Sequence, residues 1–425
     1  MKILISAFVC SPGMGSEAGR WRWVRGFAEA GVKVTLLTQT RFKAAIEAEL
    51  AKDQFSNLPL DVIYFDLPEY LGWNKLRAVQ KKIHPKLERL AWYLWDRVYY
   101  YLWQYRAYRF IKQEISIHTV TYDLVLHMTY SAITRVTFMH WLPIPFAGGP
   151  FGGGECGVKS LDSTFPFQNR LIEKLRRFYI FLCKHGPHTR LMIRNADALF
   201  VKTNDTMNMI GTKHRLKSHI LSEMIIDDDI DIRPRETGRN SDTEIKLLFV
   251  GRFLYWKGID LGIRAFARYL SAKPNASLTL VGKGPEKSRW IALAQQLNVA
   301  DKLKWVDWVS KDELNAVYDE HDIFLFPSLH DSGGNVVLEA LSHSLPVVCL
   351  NAGGPPNIID TTCGIAIDVD NADGDTVADR IADALLEISN TSFTLEKYQA
   401  NAMLRAEEFR TKTVIRKTVA MLEAI

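Results

Sequence analysis

The stretch PSLHDSGGNVVLEALSHSLPVV, residues 327–348, decides the fold. The apolar run Ile323–Phe326 stops at Pro327, which has no N–H for a sheet ladder, so a strand ends there. Asp331-Ser332-Gly333-Gly334-Asn335 is a loop. Val337, Leu338 and Leu341 then recur at helical spacing. Strand, glycine turn and helix in succession form one unit of an α/β sheet. A helix that begins on glycines offers free backbone N–H groups, which suit an anionic phosphate. Asp331 and Glu339 stand before the turn and inside the helix, where two carboxylates can hold sugar or ribose hydroxyls around that phosphate.

The same alternation extends in both directions. Lys2–Phe8, Val32–Thr38, Asp123–His127, Ile144–Ala147 and Ala198–Val201 read as strands, and Gly19–Gly31 as a helix with Trp23, Phe27 and Ala30 on one face. The pattern restarts after the charged segment Glu223–Ser241 with strands Ile245–Val250, Ser277–Val281, Leu303–Val306, Ile323–Phe326 and Pro346–Leu350. Strands alternating with helices predict two doubly wound parallel sheets facing a cleft. A chain of 425 residues is also too long for one core. The expected division is a first domain over 1–222, a linker over 223–244, a second domain over 245–394 and a helical tail over 395–425.

Val250-Gly251-Arg252-Phe253-Leu254-Tyr255-Trp256-Lys257-Gly258 is the second strong signal. A strand ends at Gly251 and delivers Arg252, and Lys257 follows at a helix mouth. A guanidinium fork and an ammonium point charge there make a clamp for a diphosphate. Leu280-Val281-Gly282-Lys283-Gly284-Pro285 is another strand followed by a glycine turn. Trp308 is placed to stack on a flat ring or to pack in the core.

These blocks resemble the retaining GT-B glycosyltransferases of family 4, also called group 1. Asp331 to Glu339 is similar to their carboxylate-x7-Glu motif, in which the first carboxylate is usually Glu, and Gly251 to Gly258 to their G-R-x-x-x-x-K-G block. The resemblance covers nearly the whole chain and is densest over 1–40, 123–155 and 245–365. It implies a sugar transferred from a nucleoside diphosphate sugar to a hydroxyl acceptor with retention of configuration. It assigns the diphosphate to Arg252, Lys257 and the N–H groups of Gly333, Gly334, Asn335 and Val336, the sugar to Asp331 and the ribose to Glu339. Gly282 and Trp308 would line the nucleotide pocket. Gly13 and Gly15, in a glycine loop after the first strand, would face the cleft, and His127 would touch the donor sugar or its phosphate. Asn357 stands where the family usually has Glu, and Thr129 replaces the second His of a common H-x-H. No cofactor or metal is expected.

Other features narrow the class. The five cysteines are scattered, without a CxxC, which fits a reducing compartment. Asp227-Asp228-Asp229-Ile230-Asp231 is read as a solvated acidic run rather than a metal site. The glycine loop Ser11–Gly19 invites a nicotinamide dinucleotide, but the second strand ends in Thr38-Gln39-Thr40 without the acid that would bind the ribose. Alternatives are a sugar-nucleotide binding protein without transfer activity and an NAD-dependent oxidoreductase.

Charge is uneven along the chain. Residues 1–222 hold 31 Lys and Arg against 17 Asp and Glu, and the remainder holds 22 against 31. A basic first half points to an anionic partner. Residues 84–112 and 170–194 are dense in aromatic, apolar and cationic side chains, which predicts contact with an anionic membrane surface. No nucleic-acid motif is present. The acceptor is then expected to be a lipid-linked or envelope saccharide, and the protein cytoplasmic and peripheral on the inner face of the membrane.

Overall fold

The computed structural model describes residues 1–13, 16–55, 57–68, 85–118, 120–128, 132–230, 232, 244–307 and 309–425, without the side chains of 16, 17, 54, 85–94 and 118. Gly15, Thr129 and Trp308 therefore lie outside the described residues.

Two parallel sheets organise the chain. The first has β1 (Lys2–Ser6), β2 (Lys33–Thr38), β3 (Leu60–Tyr64), β4 (Leu124–His127), β5 (Phe146–Phe151), β6 (Ala198–Val201) and β7 (Ser218–Ile220), in the order β3-β2-β1-β4-β5-β6-β7. The second has β8 (Lys246–Val250), β9 (Ser277–Val281), β10 (Leu303–Val306), β11 (Ile323–Phe326), β12 (Val347–Leu350) and β13 (Gly364–Ile367), in the order β10-β9-β8-β11-β12-β13. Each is a Rossmann-like sheet with helices on its faces, as expected. The central strands read as continuous apolar runs because both faces are covered. Alternate residues of β1 feed different cores: Leu4 packs with Phe8 and Trp103, Ile3 and Ile5 with Trp23 and Phe27.

Sequence patterning missed β3, β7 and β13, which are edge strands. An edge needs no two-sided apolar run, and β3 is only half-buried along most of its length. The tail differs as well. It forms two helices, Ser392–Glu407 and Thr411–Glu423, rather than one. At the break, the backbone of Ile226 pairs with that of Phe409 and Thr411. The last helix then packs on helix Ser16–Glu29, where a Cβ on Gly26 would fall 2.8 Å from Ile415.

The acidic run is not solvated throughout. Asp227 takes Arg22 at 2.8 Å and Arg25 at 3.1 Å, both from helix Ser16–Glu29, and Arg410 reaches its carbonyl at 3.1 Å. The long aromatic helix Pro85–His118 is divided. Tyr99, Tyr100, Trp103 and Tyr108 are buried in the first core, while Trp95, Val98, Leu102 and Tyr105 are exposed. Helix Phe167–His185 shows a longer open stripe. Phe167, Leu171, Leu175, Phe178 and Leu182 are all exposed, at spacings of three or four residues. Among the described residues, no helix is long and apolar enough to cross a membrane.

Candidate active site

In an open parallel sheet, ligands sit beyond the carboxyl ends of the strands where the winding direction reverses. In the second sheet that point lies between β8 and β11. The loop after β8 carries Arg252 and Lys257, and the loop after β11 carries Asp331. Topology thus brings together residues more than seventy positions apart.

The two loops interlock. Gly258 is left-handed (φ +64), and a Cβ there would fall 2.0 Å from the Pro327 carbonyl oxygen. Leu329 N–H donates to the Trp256 carbonyl at 2.8 Å. Gly282 (φ +142) allows a similar approach on the neighbouring strand, since its Cβ would stand 1.9 Å from the Gly251 oxygen. Both are positions where only glycine lets the backbones approach.

Asp331 is the electrostatic centre. Its Oδ2 accepts from Lys257 Nζ, and its Oδ1 accepts from the N–H groups of Gly333 and Gly334 at 3.2 and 3.3 Å. The Lys257 ammonium also lies 4.7 Å from the Phe326 ring centroid. Burial pushes the Asp331 carboxyl up, but Lys257 and the two glycine donors outweigh it and hold the group below its ordinary value. Gly333 and Gly334 are therefore engaged by Asp331. Among the described residues the N–H groups of Asn335 and Val336, at the head of helix Asn335–Ser342, have no acceptor. Arg252 is exposed, with no side-chain partner among the described residues.

Glu339 projects from the same helix and accepts from the Tyr318 hydroxyl at 3.1 Å. It lines a cavity of about 490 Å³ with Asn335, Lys311 and Asn315, to which Arg22 of the first half and Met224 also contribute. The cavity joins both halves beside the helix that carries the carboxylate. Trp305, in β10, meets Phe253 edge-on at 5.8 Å.

The first half contributes differently. Gly13 is exposed at φ +120 after β1, and a Cβ there would meet nothing, so backbone conformation alone favours glycine. His127 closes β4, but its ring is fully buried, with Tyr100 Oη 3.4 Å from Nε2 and Ser6 Oγ 3.4 Å from Nδ1. Burial, reinforced by His140, lowers its pKa to about 3, so it is a neutral core residue and not a wall of the cleft. The glycine-rich stretch at 148–155, which runs on from the end of β5, is well anchored: Glu155 is buried and accepts from Gly153 N–H at 2.8 Å and Thr203 Oγ1 at 3.0 Å. A Cβ on Gly152 would stand 3.0 Å from the Ser332 side chain, so this loop lies against the Asp331 loop.

Sequence reading overlooked Lys202 and Glu173, and noted Asn357 only as a departure from the family. Lys202 is buried and paired with Glu223 at 2.8 Å. Asn357, where the family usually has Glu, donates to the Lys202 carbonyl across the halves at 3.0 Å. Glu173 accepts from Tyr255 and meets His330. The one available signal was that Glu173 is the sole acid in helix Phe167–His185.

Comparison with known proteins agrees with the fold. Residues 231–401 match the family model for glycosyl transferases group 1. A lipopolysaccharide core biosynthesis glycosyltransferase of Rhizobium meliloti is 31% identical over 129 residues, 30% of this chain and 36% of that protein. The chain spans 30% to 49% of the length of other curated relatives. A lipopolysaccharide outer core galactosyltransferase structure superposes over 100% of this chain and 99% of its own, with TM-score 0.62 and 12% identity. An Anabaena protein solved with UDP covers 100% of both chains at TM-score 0.57 and 15% identity. At such identities the structures share a fold, the two-lobed GT-B architecture. Residues 231–401 of this chain are thus similar to the glycosyl transferases group 1, within that fold.

Proposed function

We propose that this protein transfers a sugar from a nucleoside diphosphate sugar to a hydroxyl acceptor, with retention of configuration. The observation that carries the reading is the Lys257–Asp331 pair beside the two free N–H groups of Asn335 and Val336, at the switch point of the second sheet. Arg252, Lys257 and those N–H groups hold the diphosphate, Asp331 the sugar and Glu339 the ribose. Charge develops on the departing diphosphate, and fixed cations and helix-head donors stabilise it without reorganising. The bond from the anomeric carbon to the phosphate oxygen breaks as the bond to the acceptor oxygen forms. The acceptor proton passes to the departing phosphate on the same face.

The UDP-bound Anabaena structure supports a nucleoside diphosphate as the leaving group. For the acceptor, the exposed stripe of helix Phe167–His185 with Lys174 and Lys184 favours a lipid-linked saccharide at an anionic membrane surface. A thermal-shift screen of UDP, GDP, ADP and CDP and their sugars tests the donor, since a bound ligand raises Tm by mass action. Donor consumption with lipid-linked acceptors tests transfer. If no nucleotide shifts Tm, the reading fails.

A further inference from the structure

The residues just before Lys257 and Asp331 in sequence are Trp256 and His330, and their rings stack at 5.2 Å with an interplanar angle of 20°. His330 and Tyr255 converge on one carboxylate. Tyr255 Oη donates to Glu173 Oε1 at 2.8 Å, and His330 Nε2 stands 3.1 Å from the same atom. Glu173 accepts only, so the His330 proton belongs on Nε2. The carboxylate is 1% exposed and comes from helix Phe167–His185 of the first half. Arg176 Nη1 lies 3.5 Å from Oε2, and left-handed Gly157 (φ +66) backs the cluster, with space for a Cβ 3.5 Å from the His330 ring.

A buried carboxylate is costly unless its partners stay in place. Both of these partners sit on the loops that bear the candidate site, one on each. The loops already share the Leu329–Trp256 backbone bond, and Glu173 adds a tie from the other half of the molecule.

We infer that Glu173 is a positioning residue: through Tyr255 and His330 it holds the two loops in register, so that Lys257 and Asp331 face the donor correctly only while the two halves are in contact. The inference rests on the reading of Lys257 and Asp331 as donor contacts. It gives the first half a role in the donor site without any of its atoms touching the donor.

A double-mutant cycle on the full chain tests it. Turnover is measured for Glu173→Ala, Glu173→Gln, Lys257→Ala and the Glu173→Ala/Lys257→Ala pair. Affinity for the tightest binder among UDP, GDP, ADP and CDP is measured separately. Glu173→Ala should lower kcat at least tenfold and weaken nucleotide affinity by no more than Lys257→Ala does. Glu173→Gln, which keeps an acceptor oxygen, should recover some of the loss. The double variant should be no worse than Lys257→Ala within twofold, because the two act through one pair. Amide exchange of Leu329 should accelerate in Glu173→Ala. Multiplicative losses in the cycle, or wild-type kcat in Glu173→Ala, overturn the inference while the donor reading survives. Wild-type turnover in Lys257→Ala overturns both. Should Glu173→Ala not fold, the Tyr255→Phe/His330→Asn variant removes the same two hydrogen bonds and takes its place.

Discussion

The two sheets present the same feature, a reversal of winding at β1/β4 and at β8/β11, and fill it oppositely. At β1/β4 the space is plugged. Phe8, just past β1, packs edge-on against Tyr100 at 5.2 Å and Trp103 at 5.1 Å, and His127 is sealed beneath them. At β8/β11 a lysine, an aspartate, an exposed arginine and a helix head meet instead. The backbone topology is alike, so topology supplies the crevice, and the side chains after the strands decide whether it is core or site.

The largest test of that contrast is substitution on each side. Asp331→Ala or Lys257→Ala should lower turnover by a factor of about a hundred or more, roughly 2.7 kcal/mol of transition-state stabilisation. His127→Gln should change it by no more than about threefold. Equal losses on both sides in a donor-consumption assay would erase the distinction.

His127 should instead govern stability. Its folded pKa of about 3 lies below its ordinary value of 6.5, so the unfolded chain binds the extra proton between those values. Stability therefore falls as pH drops from about 6.5 towards 3, by about 2 kcal/mol at pH 5. Thermal melts of wild type and His127→Gln across that window should diverge, with the variant showing the flatter slope. Parallel curves would place the proton elsewhere.

A smaller effect is expected at Arg252, which is exposed and therefore solvent-screened. Arg252→Ala should weaken nucleoside diphosphate binding about tenfold, near 1.4 kcal/mol, measured by titration calorimetry. Unchanged affinity would confine the anion site to Lys257 and the helix head. The smallest change in stability belongs to the exposed stripe of the first half. Leu175→Glu should alter stability by less than about 0.5 kcal/mol. It should also abolish co-sedimentation with phosphatidylglycerol vesicles. Retained vesicle binding would place the membrane contact elsewhere than on this stripe.

Legibility followed burial. Central strands such as Ile323–Phe326 stood out because both faces are covered, and β3, β7 and β13 did not because edges are half-wet. Arg252, Lys257, Asp331 and Glu339 could be singled out as candidates because each lies in a short block at a strand end or helix head. Helix Pro85–His118 and helix Phe167–His185 are both rich in aromatic and basic residues, yet the first buries Tyr99, Tyr100, Trp103 and Tyr108 and the second exposes its apolar stripe. Composition does not say which face meets a sheet.

The order of strands, glycine turns and helices, and with it two wound sheets and the loops that carry the candidate site, was determined by local pattern alone, because backbone conformation and periodicity are properties of neighbouring residues. Tertiary structure alone decided that His127 is sealed away and that Asp331 uses the Gly333 and Gly334 donors. It also placed Glu173 on His330 across 157 positions of chain. These depend on which surfaces meet and how much water they exclude, and residue spacing carries no record of either.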